Sequence, residues 1–235
     1  MGGRALFRRD HHQRIALVLG ALDAELLQSH KCYFGGGTAI ALIRGEYRES
    51  RDIDFLVSDG DGYRGLRDLV RREGPGSLFR DQQPFGLPQT FLSDQYGIRG
   101  WVYVLGTRIK LEIIQEGRIQ LEEPEAIHDL VPVAMLTPTD LVAEKLLANS
   151  DRFLDTATFS RDLIDLAFLE VRDIRKTAGF AKASQAYGPA LGRDLDKAID
   201  NFLGDLAWVD RCAKALDFSA PRALIITLVE RLRAA

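Results

Sequence analysis

Two aspartates set two residues apart, in Asp52-Ile53-Asp54-Phe55, are the residues best placed in this chain to do chemistry. Apolar Ile53 and Phe55 interleave them and lead into an apolar run, Ile53 to Val57, that predicts a strand. Side chains alternate along a strand, so both carboxylates would share one face. Two carboxylates held side by side repel unless a cation neutralises them. Hard oxygen ligands suit Mg²⁺, which can also bridge them to a triphosphate. The plain alternative for an isolated acid pair is a solvated strand face. Upstream, Gly35-Gly36-Gly37 stands between a short apolar strand, Cys32 to Phe34, and a small helix, Thr38 to Ile43. Glycines there let the backbone approach a ligand, and the N–H groups and dipole of a helix start favour phosphate; an ordinary tight turn is the plain alternative. Two other phosphate motifs are excluded. No Gly-Lys-Ser/Thr follows, and Ile40 stands where a GxGxxG beginning at Gly35 requires glycine.

A third acid would complete a metal site. Glu112, flanked by apolar residues in Lys110-Leu111-Glu112-Ile113-Ile114, is the candidate, against the alternative of an exposed strand glutamate. Lys145, Ala148 and Arg152 are spaced i, i+3 and i+7, one helix face. Two cations with a small residue between them leave room for a phosphate, although a solvated basic stripe has the same spacing. Asp162 and Asp165, at i and i+3, could orient Lys145, hold Arg152 or accept a proton, or simply pair with Arg161 or another nearby arginine. His11 and His12 fall in a polar N-terminus expected to fray and carry no assigned role. Trp101, Tyr103, Phe202 and Trp208 have core-like spacings and are expected to pack rather than stack on bases.

The elements that must position these residues change character along the chain. A helical pattern from Gln13 to Ser29 precedes the glycine run, and Tyr63 to Arg72 is helical. Strands from Gly100 to Leu105 and Arg108 to Gln115 flank a Gly106-Thr107 hairpin turn. From Thr137 the strand signals fade. Thr137-Pro138-Thr139-Asp140 is a helix start with Pro at the first helical position and an acid approximating a capping box. Amphipathic segments follow: Asp140 to Ser150, Phe159 to Leu169, Asp194 to Leu216 and Pro221 to Arg233. This reads as an α+β chain: residues 1–135 a mixed sheet with flanking helices, residues 136–235 a helical domain.

With 235 residues, 46% of them hydrophobic, the chain can bury one large core or two small ones, and the disordered and fibrous classes are excluded. A net charge of −3 restricts any nucleic-acid contact to a local patch. Cys32 and Cys212 lie far apart without metal-ligand neighbours, which points to a reducing cytoplasm rather than a disulfide framework. No apolar stretch is long enough to span a bilayer.

The order of glycine pair, short helix, acid-apolar-acid strand and later strand acid resembles the polymerase-β-like nucleotidyltransferase superfamily. More narrowly, it resembles the AbiEii/AbiGii toxin nucleotidyltransferases. Gly36-Gly37-Thr38-Ala39 matches the glycine motif of that group, and Arg48-x-Ser50-x-Asp52-Ile53-Asp54-Phe55 its acidic motif. Lys145-x-x-Ala148-x-x-x-Arg152 and Arg161-Asp162-x-x-Asp165-Leu166 match its two helical motifs. The four blocks run in order from about Phe34 to Leu169; the segment from Gly36 to Asp52 is slightly longer than in the group, and the last third of the chain matches nothing.

The resemblance implies a polymerase-β-like domain followed by a helical region, and transfer of a nucleotide from an NTP, ATP among them, to an acceptor hydroxyl with release of pyrophosphate. Asp52, Asp54 and Glu112 would hold Mg²⁺, or Mn²⁺ in its place. Gly36, Gly37, Thr38, Arg48, Ser50, Lys145 and Arg152 would contact the nucleotide, with Lys145 and Asp162 catalytic alongside the metal acids and Asp165 competing with Asp162 for its role. The implied acceptor is tRNA, and the implied partner a cognate antitoxin. Two rivals stand beside this reading: a small-molecule nucleotidyltransferase of the aminoglycoside type, and a non-catalytic nucleotide-binding module.

Overall fold

The computed structural model describes residues 6–81, 85–125 and 129–233. The chain divides into two compact units, residues 1–42 with 51–137 and residues 43–50 with 138–235. The segment from Ile43 to Ser50 thus leaves the first unit in the middle of its own sequence and folds with the second.

The first unit is built on a five-stranded sheet in the order β1-β2-β5-β4-β3. The strands are β1 (Tyr33–Gly35), β2 (Ile53–Val57), β3 (Leu92–Ser93), β4 (Gly97–Val104) and β5 (Thr107–Gln115). β2 and β5 pair in parallel and the other neighbours antiparallel. Alternation along β4 and β5 buries Ile98, Val102, Val104, Ile109, Leu111 and Ile113 on one face. The opposite face carries Trp101 and Tyr103, which are 38% and 49% exposed, so the expectation that they pack in the core fails. Trp101 instead lies under the Arg108 guanidinium, 4.6 Å from ring centroid to Cζ.

The helical stretch expected from Gln13 to Ser29 is two helices, α1 (Asp10–Ala21) and α2 (Ala24–Ser29). Leu22 is extended, and Asp23 caps α2 by accepting the Leu26 N–H at 3.0 Å. The N-terminus does not fray at the histidines. His11 and His12 form part of the first turn of α1; His12 is fully buried beside the stripe Ile15, Val18 and Leu19, and His11 Nε2 bonds the Arg51 carbonyl at 3.0 Å. Helices α3 (Gly36–Ile43) and α4 (Gly60–Glu73) complete the unit.

The second unit is helical: α5 (Pro138–Arg152), α6 (Arg161–Phe168), α7 (Ala178–Tyr187), α8 (Ala190–Gly204), α9 (Leu206–Ala215) and α10 (Arg222–Arg231). Asp140, read from the sequence as a capping acid, is fully buried and ion-paired with Lys182 at 2.5 Å. The single segment expected from Asp194 to Leu216 breaks at Asp205, whose extended backbone and side chain, accepting the Trp208 N–H at 2.9 Å, restart the helix as α9. Helix α7 has no counterpart in the expected elements. Its small residues hide its pattern: a Cβ on Gly179 would lie 2.7 Å from the Thr139 carbonyl, so α7 packs on α5 through nearly bare backbone.

Candidate active site and a buried ion cluster

In the first unit the glycine turn and the acids meet through strand register. Gly35 closes β1 opposite Asp54, and Asp54 is opposite Glu112 on the other side. In-register neighbours share a face. Gly36 then opens α3 with φ +68°, a conformation costly for any side chain. A Cβ there would sit 2.9 Å from Asp54 Cβ and collide with the carboxylate. The glycine at this position therefore answers two demands at once, the reversed backbone and the approach of Asp54. Gly37 is the second residue of α3, so both glycines stand in the first turn, where backbone N–H groups lack intrahelical partners.

Asp52 reaches this place by a different route from the expected one. β2 begins at Ile53, so Asp52 lies just ahead of the strand and alternation does not orient it. Thr38 anchors it instead: the Thr38 side chain, only 1% exposed, donates its hydroxyl to the Asp52 carbonyl at 2.5 Å. Asp52 and Asp54 are both half-buried. Glu112 has its carboxylate between Lys110 Nζ at 2.6 Å and Arg99 Nε at 3.5 Å. Among the described residues no group of three or more His, Cys, Asp and Glu side chains is gathered closely enough to cage a metal.

In the second unit the remaining predicted residues form one buried ionic cluster. Lys145 Nζ lies 2.9 Å from Asp162 Oδ1 and 2.8 Å from Asp165 Oδ2, so both acids hold it. Arg152 donates from Nε to Asp162 Oδ2 at 2.7 Å and from Nη2 to Oδ1 at 3.0 Å. Arg48 grips Asp165 bidentately, Nε to Oδ1 at 2.7 Å and Nη2 to Oδ2 at 2.8 Å. Its third nitrogen donates to the Glu49 carbonyl at 2.8 Å. The acids thus orient Lys145 and also pair with arginines, Arg152 and Arg48 rather than Arg161. Ser50, at the end of the 43–50 segment, is half-buried.

Burial raises the energy of every charge in this cluster, and the partners more than offset it. Desolvation pushes the Asp162 and Asp165 carboxyls upward, yet Lys145, Arg152 and Arg48 hold both below the usual carboxylate range. Lys145 moves the other way: burial pulls its ammonium down, but Asp162 and Asp165 win and raise it. Tyr47, missed in the sequence, belongs here too. Its hydroxyl donates to Asp165 Oδ1 at 2.5 Å, and its ring stacks on Phe168 at 3.9 Å. Nothing local could have pointed to it, since 118 residues separate Tyr47 from Asp165.

The family model for the nucleotidyl transferase AbiEii toxin of type IV toxin–antitoxin systems matches residues 18–226, a span that contains every residue of both groups. The chain belongs to the AbiEii family. This AbiEii chain is accordingly a nucleotidyltransferase of the toxin class. Its fold is similar to that of JHP933 from Helicobacter pylori, at 18% identity over 96% of this chain and 93% of that one, with a TM-score of 0.54. MenT4, a nucleotidyltransferase toxin from Mycobacterium tuberculosis, aligns at 16% identity over 97% of the AbiEii chain and 86% of its own, with a TM-score of 0.45. No curated protein matches the sequence. Among the described residues, no helix of the AbiEii chain is long and apolar enough to cross a membrane.

Proposed function

We propose that this protein moves a nucleotide from an NTP to an acceptor hydroxyl at the glycine turn of the first unit, in a reaction that depends on Mg²⁺ or Mn²⁺. The observation that carries the reading is the contact of Gly36 with Asp54, which brings a phosphate-suited helix start and a metal-suited carboxylate to one spot. The donors fit a hard cation. Mg²⁺ is commonly held by one or two carboxylates plus substrate phosphates rather than by an all-protein cage, and Asp52 and Asp54 supply such a pair. Glu112, already matched by Lys110 and Arg99, is the subsidiary ligand. A bound divalent ion would neutralise charge developing on the triphosphate and the leaving pyrophosphate.

The chain's own residues do the rest by position. Gly36 and Gly37 leave the first turn of α3 open to phosphate oxygens, and Thr38 fixes the backbone that presents Asp52. The acceptor oxygen bonds to the α-phosphorus, the bond from that phosphorus to the oxygen bridging to the β-phosphorus breaks so that pyrophosphate leaves, and the hydroxyl proton passes to solvent water. Such transfers depend mainly on alignment and preorganised charge. We assign Lys145, Asp162, Asp165, Arg48 and Arg152 a positioning role within the second unit, because their charges satisfy one another there. The acceptor we propose is the 3′ end of a tRNA, and the partner a cognate antitoxin, both consistent with a toxin family.

Incubation with labelled NTPs, Mg²⁺ and total cell RNA tests this directly. Label in a tRNA-sized band that vanishes with EDTA is the expected result. Label on an aminoglycoside but not on RNA would move the acceptor to small molecules, and no label with any NTP would leave a binding module.

A further inference from the structure

The second unit contains a cavity of about 220 Å³ that neither the acid pair nor the ion cluster uses. Asn149, Ser160, Leu163, Ala198, Asn201 and Trp208 contribute to its wall. Asn149 stands on α5 four residues after Lys145 and three before Arg152, the face that carries both cations. The residue is 3% exposed. Its backbone carbonyl accepts the Phe153 N–H at 2.8 Å, whereas its carboxamide makes no hydrogen bond among the described residues. The carboxamide is open to the cavity rather than sealed in the core, so a ligand in the cavity can bond it.

The rest of the wall is mixed, with apolar surface beside Asp205 and Arg211. Leu163 and Ala198 are apolar and buried. Trp208 gives its indole N–H to Ser160 Oγ at 2.9 Å and carries the Arg211 guanidinium over its ring, 5.0 Å from the centroid, so its ring is held in place in the wall. Phe159 supports that ring, near-parallel at 14° with centroids 5.9 Å apart. Phe159 and Ser160 both hold φ 51°, a left-handed pair that carries the chain from the turn at Thr156–Thr158 into α6. Pockets that take drug-sized ligands run to roughly 300–1,000 Å³. At about 220 Å³ this cavity takes one ring system and not a whole nucleoside triphosphate.

We propose that the cavity is an adenine-binding site. The Asn149 amide oxygen would accept from the exocyclic amine, and its nitrogen would donate to the adjacent ring nitrogen, the pairing that matches asparagine to adenine. Adenine reaches such a site either as a free adenine nucleotide or as the last base of a nucleic acid, and both present the same edge. The inference goes beyond the transfer reading and requires neither Asp54 nor a metal.

Equilibrium dialysis with labelled adenosine in EDTA tests it on the full chain. Wild type should bind adenosine at least tenfold more tightly than guanosine, cytidine or uridine. Asn149→Ala should lose at least tenfold. Asn201→Phe, at an exposed position of the wall, should block binding while leaving the melting temperature in place, which covers a misfolded Asn149 variant. Displacement by ATP, or by an RNA oligonucleotide ending in adenosine, then identifies the source. Asp54→Ala should bind adenosine like wild type, so failure of transfer and failure of this site are separable. Equal binding of all four nucleosides, or adenosine binding unchanged in both cavity variants, would overturn the proposal.

Discussion

Gly36 lies against Asp54 so closely that a Cβ on the glycine would come within 2.9 Å of the aspartate's own Cβ. The first side chain added at Gly36 must therefore push the carboxylate out of place as well as strain a backbone at φ +68°. Gly36→Ala is expected to cost about 1–3 kcal/mol from the left-handed conformation and to abolish transfer. Gly20, in α1 with nothing within 4 Å of its Cβ position, is the control. Gly20→Ala should raise stability by roughly 0.5–1 kcal/mol with activity unchanged. Denaturant melts and labelled-NTP turnover on the two variants decide the matter; an active Gly36→Ala protein would mean that the turn is only a turn.

The acid pair is tested without touching the fold. Asp54→Asn and Asp52→Asn should each eliminate transfer, with thermal unfolding unchanged or slightly improved as like-charge repulsion is relieved. Chelation of the wild type should reproduce the loss, and Mg²⁺ or Mn²⁺ should restore it. Glu112→Gln should do less, because that carboxylate is already matched by Lys110 and Arg99. Full turnover in Asp54→Asn would remove the metal assignment altogether.

The ion cluster predicts a steep cost for any unmatched charge. Asp165 is fully buried and holds Arg48, Lys145 and Tyr47, so Asp165→Asn should lose about 3–5 kcal/mol. Tyr47→Phe removes one neutral donor and should lose about 0.5–1.5 kcal/mol or somewhat more. If Asp165→Asn melts like wild type, the cluster is not what holds α5, α6 and the 43–50 segment together.

The same cluster fixes a pH window. The Asp162 and Asp165 pKa values are lowered on folding, so their contribution is fully present above the unfolded value of about 3.9 and is lost as pH falls through the folded values. The Lys145 pKa is raised, so its contribution is present below about 10.4 and is lost as pH rises through the folded value. Urea unfolding of wild type and Asp165→Asn should differ by a constant amount from about pH 5 to 9, with the gap closing only toward stronger acid or base. A gap that already closes at pH 6 would contradict this sign.

Both cysteines should be inert in the native state. Burial pushes the Cys32 thiol well up, and desolvation carries Cys212 to about 12, so neither holds an appreciable thiolate at neutral pH. A chromogenic disulfide reagent should find no fast thiol in the folded protein and two after denaturation. One rapid thiol in the native protein would refute this.

What the sequence by itself determined is what short-range chemistry can carry. The turn glycines, the acid strand Ile53–Val57 and the hairpin of β4 and β5 follow from residue types and period, because strands and turns are dictated by neighbours a few residues apart. The order of the four motifs was also enough to indicate the AbiEii family. Helix breaks at Leu22 and Asp205 were hidden, since Asp23 and Asp205 act as caps only when their own backbone is extended. Small-residue α7 was hidden as well, because it packs through backbone rather than through an apolar stripe.

Tertiary structure alone decided where the charged motif residues go. Arg48 sits beside Ser50 and Asp52 in the sequence, yet folds into the second unit to grip Asp165, 117 residues away. Asp52 lies just ahead of β2, its backbone carbonyl held by the Thr38 hydroxyl, so strand alternation does not orient it. The motif order favoured Asp162 over Asp165 as the partner of Lys145, yet Lys145 lies within 3 Å of both. A local pattern can say that a side chain is charged and which face it starts from. Which partner neutralises it depends on which distant segments share its dry interior, where an unmatched charge is too costly to remain.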